Sequence, residues 1–205
     1  MIVLNVEQRS DEWFAARRGI PTASNFKKII TATGKRSTQR KDYMYQLAAE
    51  KLTGIKEEGF TSKAMDEGTE REEECKWVYA MKKGVYVREV GIILSDDRRY
   101  GASPDGLVGD KGSIEMKNPK GKTAVKYLMA NKVPSEYFQQ VQGQLYVSER
   151  EWCDFISYYP GLPMFIVRVF PDDVFIKQLK RELVAFCDEL DIICSTIEKK
   201  RELEL

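Results

Sequence analysis

From Leu179 onward, apolar residues return at alternating steps of four and three: Leu179, Leu183, Phe186, Leu190, Ile193 and Ile197. That period puts them on one stripe of a helix starting near Asp172. The stripe reads as core packing, with subunit contact as the lesser alternative. Other helices are expected from their ends. Ser10-Asp11-Glu12 opens one that runs to Arg18 before Gly19. Gln39 to Leu52 stops near Gly54, and Ser62 to Lys83 stops at Gly84. Thr22 or Ser24 caps a short helix through Ile30. Thr123 to Ala130 and Ser135 to Val147 also carry helical spacing.

The period changes after Gly84. Val85, Val87, Val90, Ile92, Ile93 and Leu94 read as strand, and Tyr100 to Val108 and Ser113 to Lys117 as two more around a GDKG turn. Trp152 to Tyr159 and Met164 to Phe170 form a further pair joined by PGLP. Helices, three strands, helices, two strands and a helix make an α/β protein with a central mixed sheet of about five strands flanked by helices. The expected organisation is one domain over residues 1–205: a helical N-terminal part (1–60), a core (61–170) and a C-terminal helix (172–200).

Composition narrows the chemistry. With 205 residues, 42% hydrophobic and 32% charged, the chain is long enough for a substantial core and reads as soluble. No apolar run nears the roughly 18 residues of a membrane span, and MIVLNVEQRSDEWF lacks the basic flank of a secretory signal. Cys75, Cys153, Cys187 and Cys194 form no CxxC pair, which suits reduced thiols and a cytoplasmic setting. There is no histidine, so His-based triads and His-ligated zinc are excluded. Any metal would have oxygen ligands, favouring Mg²⁺, Mn²⁺ or Ca²⁺. Net charge is only +1, but it is uneven. Lys27, Lys28, Lys35, Arg36, Arg40 and Lys41 share a segment without acids, and five lysines lie between Met116 and Ser135. Acids gather from Glu57 to Glu74. Such runs are ordinarily solvated faces, but two of them in a near-neutral chain also fit a local phosphate-binding surface.

The segment GASPDGLVGDKGSIEMKNPK concentrates the question. In Ser113 to Lys117, side chains alternate faces, so Ile114 and Met116 point one way and Glu115 and Lys117 the other. Asp105, in the preceding strand, falls close to Glu115 across the turn. Two adjacent carboxylates repel unless a cation lies between them. A divalent metal answers that need, with Lys117 beside it to orient or deprotonate water or to stabilise charge on a phosphate. The plainer alternative is a Glu–Lys pair on an edge strand. On the preceding helix Met65, Gly68, Glu72, Cys75 and Tyr79 form the less polar stripe, and Glu72 interrupts it. Glu72 therefore needs a partner, either a metal or an arginine. Glu70, Glu73 and Glu74 fall elsewhere and read as solvated. Trp13, Phe14, Trp77 and Trp152 read as core. Lys35 and Arg36 read as loop residues that steer nucleic acid without reading sequence.

Pro104-Asp105, nine intervening residues and Glu115-Met116-Lys117 together resemble the PD-(D/E)xK nuclease superfamily and its restriction-endonuclease-like core. SPDGL at 103–107 and ExKNP at 115–119 resemble the phage lambda exonuclease family more closely. So do RRGIPTAS at 17–24, Gly68 with Glu72, and Gln140-Val141-Gln142 followed by Tyr146. The resemblance implies that Asp105, Glu115, the Met116 carbonyl and Glu72 bind metal. It implies two Mg²⁺ ions per site, with Mn²⁺ substituting. Lys117 matches the catalytic lysine, and Gln140 a glutamine close to the active site. Arg17, Ser24 and Ser103 match a 5′-phosphate pocket, with Arg18 as the rival for the arginine's place.

The activity implied is 5′-to-3′ degradation of one strand of linear double-stranded DNA, leaving a 3′ overhang for a single-strand annealing protein. The assembly implied is a homotrimeric ring, in the cytoplasm of a bacterial or phage-infected cell and without membrane attachment. A structure-selective or site-specific endonuclease on the same fold is the main alternative. A non-catalytic DNA-binding protein and a Ca²⁺-stabilised domain fit less well, because costly charges are kept and no EF-hand spacing is present.

Overall fold

The computed structural model describes residues 1–55 and 63–203, and only the backbone of residues 63–70. The expected helix start at Ser62, the side chains of Met65 and Glu70, the burial at Gly68, and the start of the acidic run at Glu57 lie outside what is described. The element order is β1 (Ile2–Leu4), α1 (Asp11–Arg17), a 3₁₀ turn (Ala23–Lys28), α2 (Arg40–Thr53), α3 (Lys63–Lys83), β2 (Val87–Arg88), β3 (Ile92–Leu94), β4 (Gly101–Ala102), β5 (Gly106–Val108) and β6 (Gly112–Lys117). Then come α4 (Gly121–Ala130), a 3₁₀ turn (Ser135–Tyr137), α5 (Phe138–Ser148), β7 (Trp152–Ser157), β8 (Phe165–Val169) and α6 (Asp173–Leu203). Local chemistry sets many of these ends. The Ser10 hydroxyl accepts from the Trp13 N–H to cap α1, and Gly54 closes α2 at φ 71°, a backbone state that glycine enters without steric cost.

A mixed five-stranded sheet runs β2-β5-β6-β7-β8, beside a three-stranded sheet β1-β3-β4. All pairs are antiparallel except β6–β7. That parallel pair is joined by α4 and α5, as a crossover requires. The five-stranded α/β expectation is met, with a difference in its parts. The expected strand Val85–Leu94 is two strands, because β2 pairs with β5 while β3 pairs with β1 and β4. Tyr100–Val108 is likewise cut into β4 and β5. The cut falls at Ser103-Pro104-Asp105, where proline removes a ladder donor. Strand β1 has no expectation behind it, since three apolar residues near a terminus carry no period.

Helix α3 lies on one face of the five-stranded sheet. Cys75 and Tyr79 are buried there with Val108, Ile114, Met116 and Ile156. The other face is covered by α4 and α5, whose Tyr127, Val141 and Leu145 pack on Phe155 and Phe165. The α6 stripe is core as expected for Leu179, Leu183, Phe186 and Leu190, each contributing on the order of 1.5–3 kcal/mol, but Ile197 emerges to 45% exposure. Trp77 is 65% exposed, not core, because it lies off the Cys75–Tyr79 stripe. Trp152 is half-buried, with the Arg168 guanidinium 3.6 Å from its ring centroid. All four cysteines are buried and unpaired.

The basic segment ahead of α2 also reads differently in three dimensions. Arg36 pairs with Glu182 and Arg40 with Glu189, both on α6. Arg36 is thereby a tertiary ion-pair residue and not a free steering charge. The acids that answer it are nearly 150 positions away, which no local count of charge reveals. Gly143 lets α5 press on the 3₁₀ turn Ala23–Lys28. A Cβ there would come within 2.4 Å of the Phe26 ring. This contact fixes Ser24 and its neighbours relative to the sheet. No helix among the described residues is long and apolar enough to cross a membrane.

Candidate active site

The β5–β6 hairpin brings the two carboxylates together. Gly106 is in register with Ile114, so Asp105, one residue before β5, stands level with Glu115. The Asp105 N–H donates to the Ile114 carbonyl at 3.2 Å, and Asp105 Oδ2 accepts from the Met116 N–H at 2.6 Å. Alternation along β6 sends Ile114 and Met116 toward α3 and turns Glu115 and Lys117 to the opposite face, where α5 lies.

Glu115 is 1% exposed. Its Oε1 accepts from Gln140 Nε2 of α5 at 2.6 Å and pairs with Lys117 Nζ at 2.5 Å. Its Oε2 is buried with no hydrogen-bond partner. A buried carboxylate oxygen left bare is costly, and a cation is the partner that removes the cost. Asp105 shows the same deficit of positive charge. Burial and the neighbouring Glu115 charge push its pKa up to about 7, against the pull of Lys117 and the Met116 N–H. Burial works against the Lys117 ammonium, yet Glu115 and Asp105 outweigh it, so its pKa stands above the ordinary lysine value. The Lys117 ammonium also lies 5.1 Å from the Tyr137 ring centroid. Hard oxygen donors and a carboxylate pair that the single Lys117 charge only partly neutralises fit a divalent cation of the Mg²⁺ or Mn²⁺ type.

Glu72 does not yet join that pair. Both its oxygens accept from Arg9 Nη2, at 2.9 and 2.8 Å. Of the two partners open to it in the sequence, the arginine is the one observed. Its pKa is raised, with burial the main cause and Arg9 opposing. Glu72 nevertheless lines one cleft of about 650 Å³ with Asp105, Met116 and Arg9. Among the described residues, no three acidic or cysteine side chains are gathered as a ready ligand set.

A second cavity, about 310 Å³, adjoins it and is lined by Arg9, Trp13, Arg17, Arg18, Thr22 and Tyr43 among others. Here Arg17, not Arg18, is held by a hydroxyl cluster. Arg17 Nη1 donates to Ser103 Oγ at 2.9 Å, and Nη2 to Thr22 Oγ1 at 3.2 Å and Ser24 Oγ at 3.5 Å. Its guanidinium sits 4.1 Å from the Trp13 ring centroid, and Trp13 Nε1 donates to Ser103 Oγ at 3.0 Å. Burial lowers the Arg17 pKa to about 10, which still leaves it charged at neutral pH. These partners are hydroxyls and not carboxylates, so the cation keeps its capacity for an anion.

The hairpin and helix α5 thus unite Asp105, Glu115, Met116, Lys117 and Gln140. Arg17, Ser24 and Ser103 form a second group, and Glu72 faces the cleft from α3. The sequence offered Thr22 only as a helix cap, did not single out Arg9, and took Trp13 for core. Thr22 lies inside the RRGIPTAS motif, which offered a signal. Arg9 offered none, since its partner is 63 residues away.

The sequence profile of the YqaJ-like viral recombinase domain matches residues 12–151. The alkaline exonuclease LHK-Exo from Laribacter hongkongensis is 37% identical, with a TM-score of 0.86 over 96% of this chain and 100% of its own. One of its crystal structures is a complex with dAMP. A phage-related exonuclease from Haemophilus somnus shares the fold at 16% identity, with a TM-score of 0.66 over 87% of this chain and 96% of its own. No curated protein matches. With the profile spanning well over half of it and an alkaline exonuclease matching it nearly end to end, the chain belongs to the YqaJ-like viral recombinase family, as its resemblance to the lambda exonuclease family implied.

Proposed function

We propose that this nuclease is a Mg²⁺-dependent 5′-to-3′ exonuclease that degrades one strand of linear double-stranded DNA and leaves a 3′ overhang for a single-strand annealing protein. The observation that carries the reading is the buried, unpartnered Glu115 Oε2 beside Asp105 and Lys117, together with a half-buried Arg17 ringed by hydroxyls. The first group supplies what phosphodiester hydrolysis needs, and the second what a terminal phosphate needs. A relative that binds dAMP adds support, because a mononucleotide is the unit an exonuclease releases.

In this reading Asp105, Glu115 and the Met116 carbonyl would hold one ion, and Glu72 would help to hold a second. Two bound ions would supply Lewis acidity, lowering the pKa of water so that hydroxide is available at neutral pH and offsetting charge on the scissile phosphate. Lys117 is kept protonated by its carboxylate neighbours, so it stabilises developing negative charge and donates a proton more readily than it removes one. Gln140 orients Glu115 through its 2.6 Å hydrogen bond. Arg17, with Thr22, Ser24 and Ser103, grips the 5′-phosphate and fixes which bond is cut. The homotrimeric ring of the family resemblance belongs to the same proposal and keeps a threaded duplex from escaping sideways.

The test is digestion, with Mg²⁺, of a linear duplex labelled on one strand, with and without a 5′-phosphate, beside a closed circle. The phosphorylated strand should shorten from its 5′ end while the circle survives. A nicked circle would favour the endonuclease alternative. Arg17→Ala should lower the rate on phosphorylated ends by about 10–100-fold, the value of a charge-assisted hydrogen-bond set, and erase the preference for phosphorylated over unphosphorylated ends. An unchanged preference would remove Arg17 from that pocket.

A further inference from the structure

Arg9 sits where the two cavities meet. Of the described residues it alone lines both, with Glu72, Asp105 and Met116 on one side and Trp13, Arg17 and Thr22 on the other. Its backbone is in the left-handed region at φ 74°, where a side chain is strained and glycine is not. It is held there from both sides. Gln8 donates to the Val90 and Pro104 carbonyls at 2.8 Å each, and Ser10 caps α1. A long cationic side chain is thus projected from a strained, anchored position, and among the described residues it pairs with Glu72. The Arg9 and Glu72 side chains are 40% and 37% exposed, so their pair is neither deeply locked nor strongly stabilising.

Resting on the nuclease reading above, we propose that Arg9 exchanges its partner during the reaction cycle. In the free protein it serves Glu72 as an internal counter-ion. When a divalent cation engages Glu72, the guanidinium is released onto the phosphodiester that links a terminal phosphate at Arg17 to the bond at Asp105. The chemistry asks for such a residue. A cation entering beside Glu72 makes the Arg9 charge redundant there, while a nucleotide spanning the two cavities brings a phosphate to the point where Arg9 stands. The exchange keeps local charge balanced in both states. It also makes loading of the Glu72 position and binding of the DNA end mutually supporting, because each supplies the partner the other displaces.

Arg9→Gly is the informative variant, since glycine suits φ 74° and the loop anchors through Gln8 and Ser10 remain; its melting temperature should not fall. Two measurements are made on the full chain. Mn²⁺ is titrated without DNA, read by loss of the free-ion magnetic resonance signal, and a 5′-phosphorylated duplex end is titrated in saturating Ca²⁺, which fills the Glu72 position, across a salt series. Arg9→Gly should bind Mn²⁺ about two- to fivefold more tightly at the weaker site, the strength of a half-exposed ion pair, and this gain should vanish in a Glu72→Gln background. It should bind the duplex end more weakly, with the slope of log affinity against log salt shallower by about one. Unchanged Mn²⁺ affinity, or an unchanged slope, overturns the exchange, since it demands both. If the unsubstituted protein binds neither Mn²⁺ nor the phosphorylated end, the nuclease-site reading falls and takes the exchange with it. If it binds both and the variant matches it, only the exchange falls.

Discussion

Lys117→Ala is expected to reduce hydrolysis by at least about a hundredfold while leaving binding of the DNA end nearly intact. The ammonium lies 2.5 Å from Glu115 Oε1, inside the cluster that faces the proposed scissile bond, and not in the Arg17 pocket proposed to hold the end. Its loss removes a fixed positive charge from a partly desolvated site, where such charges act most strongly on a transition state. The change has a second consequence. Glu115 keeps Gln140 as a partner but loses its counter-charge, at 1% exposure. The metal-free variant should therefore melt below the unsubstituted protein, and Mn²⁺ should return more of that loss to the variant than to its parent. Lys117→Arg separates the effects, since it keeps charge and stability but moves the donor off position. Single-turnover cleavage with a parallel binding assay decides the matter. Near-normal turnover in Lys117→Ala removes Lys117 from the chemistry.

Much of this cluster was legible because its geometry is local. Strand alternation alone places Glu115 and Lys117 on one face, and a hairpin places Asp105 level with Glu115. The motifs of the family resemblance carried Gln140 and Arg17 to positions where the structure joins them to Glu115 and Ser103. The helical stripe of α6 from Leu179 to Leu190, and that of α3 at Cys75 and Tyr79, were equally plain, since burial of one face leaves a period in the sequence.

What stayed hidden depends on contacts across long stretches of chain. The splitting of Val85–Leu94 and Tyr100–Val108 between two sheets follows from which strands pair, not from the apolar content of either segment. Arg36 and Arg40 looked like free basic charge until α6 brought Glu182 and Glu189 against them. Trp13 looked like core because its second role, under Arg17 and against Ser103, needs β4 and α1 to meet. Glu72 shows the limit most clearly. Its interruption of an apolar stripe announced that it had a partner, but nothing in the spacing could choose between a metal and an arginine.

Asp105→Asn should affect two properties in opposite directions. Hydrolysis should fall by about 10³-fold or more, with loss of the tighter Mn²⁺ site, because a neutral amide can still accept from the Met116 N–H but cannot balance a divalent cation. Metal-free stability should instead rise at neutral and alkaline pH. The folded-state pKa of about 7 lies above the unfolded value of 3.8, so the folded protein holds this proton more tightly than the unfolded chain does. Stability from this group is then fully present below the unfolded value and is lost as pH climbs through about 7. Metal-free protein should therefore melt at progressively lower temperature from pH 4 to pH 7 and level off above, by comparison with Asp105→Asn, which lacks this contribution. Saturating Mn²⁺ should close the gap at pH 8, since the ion replaces the lost proton as the partner of the carboxylate pair. The same linkage makes metal affinity rise by up to about tenfold per unit as pH approaches 7 from below, one proton being displaced per ion. Melting curves of the two proteins across this range, with and without Mn²⁺, test the account directly. Parallel curves that ignore both pH and metal would mean that Asp105 and Glu115 are stabilised by other means and that the cleft has no need of a cation.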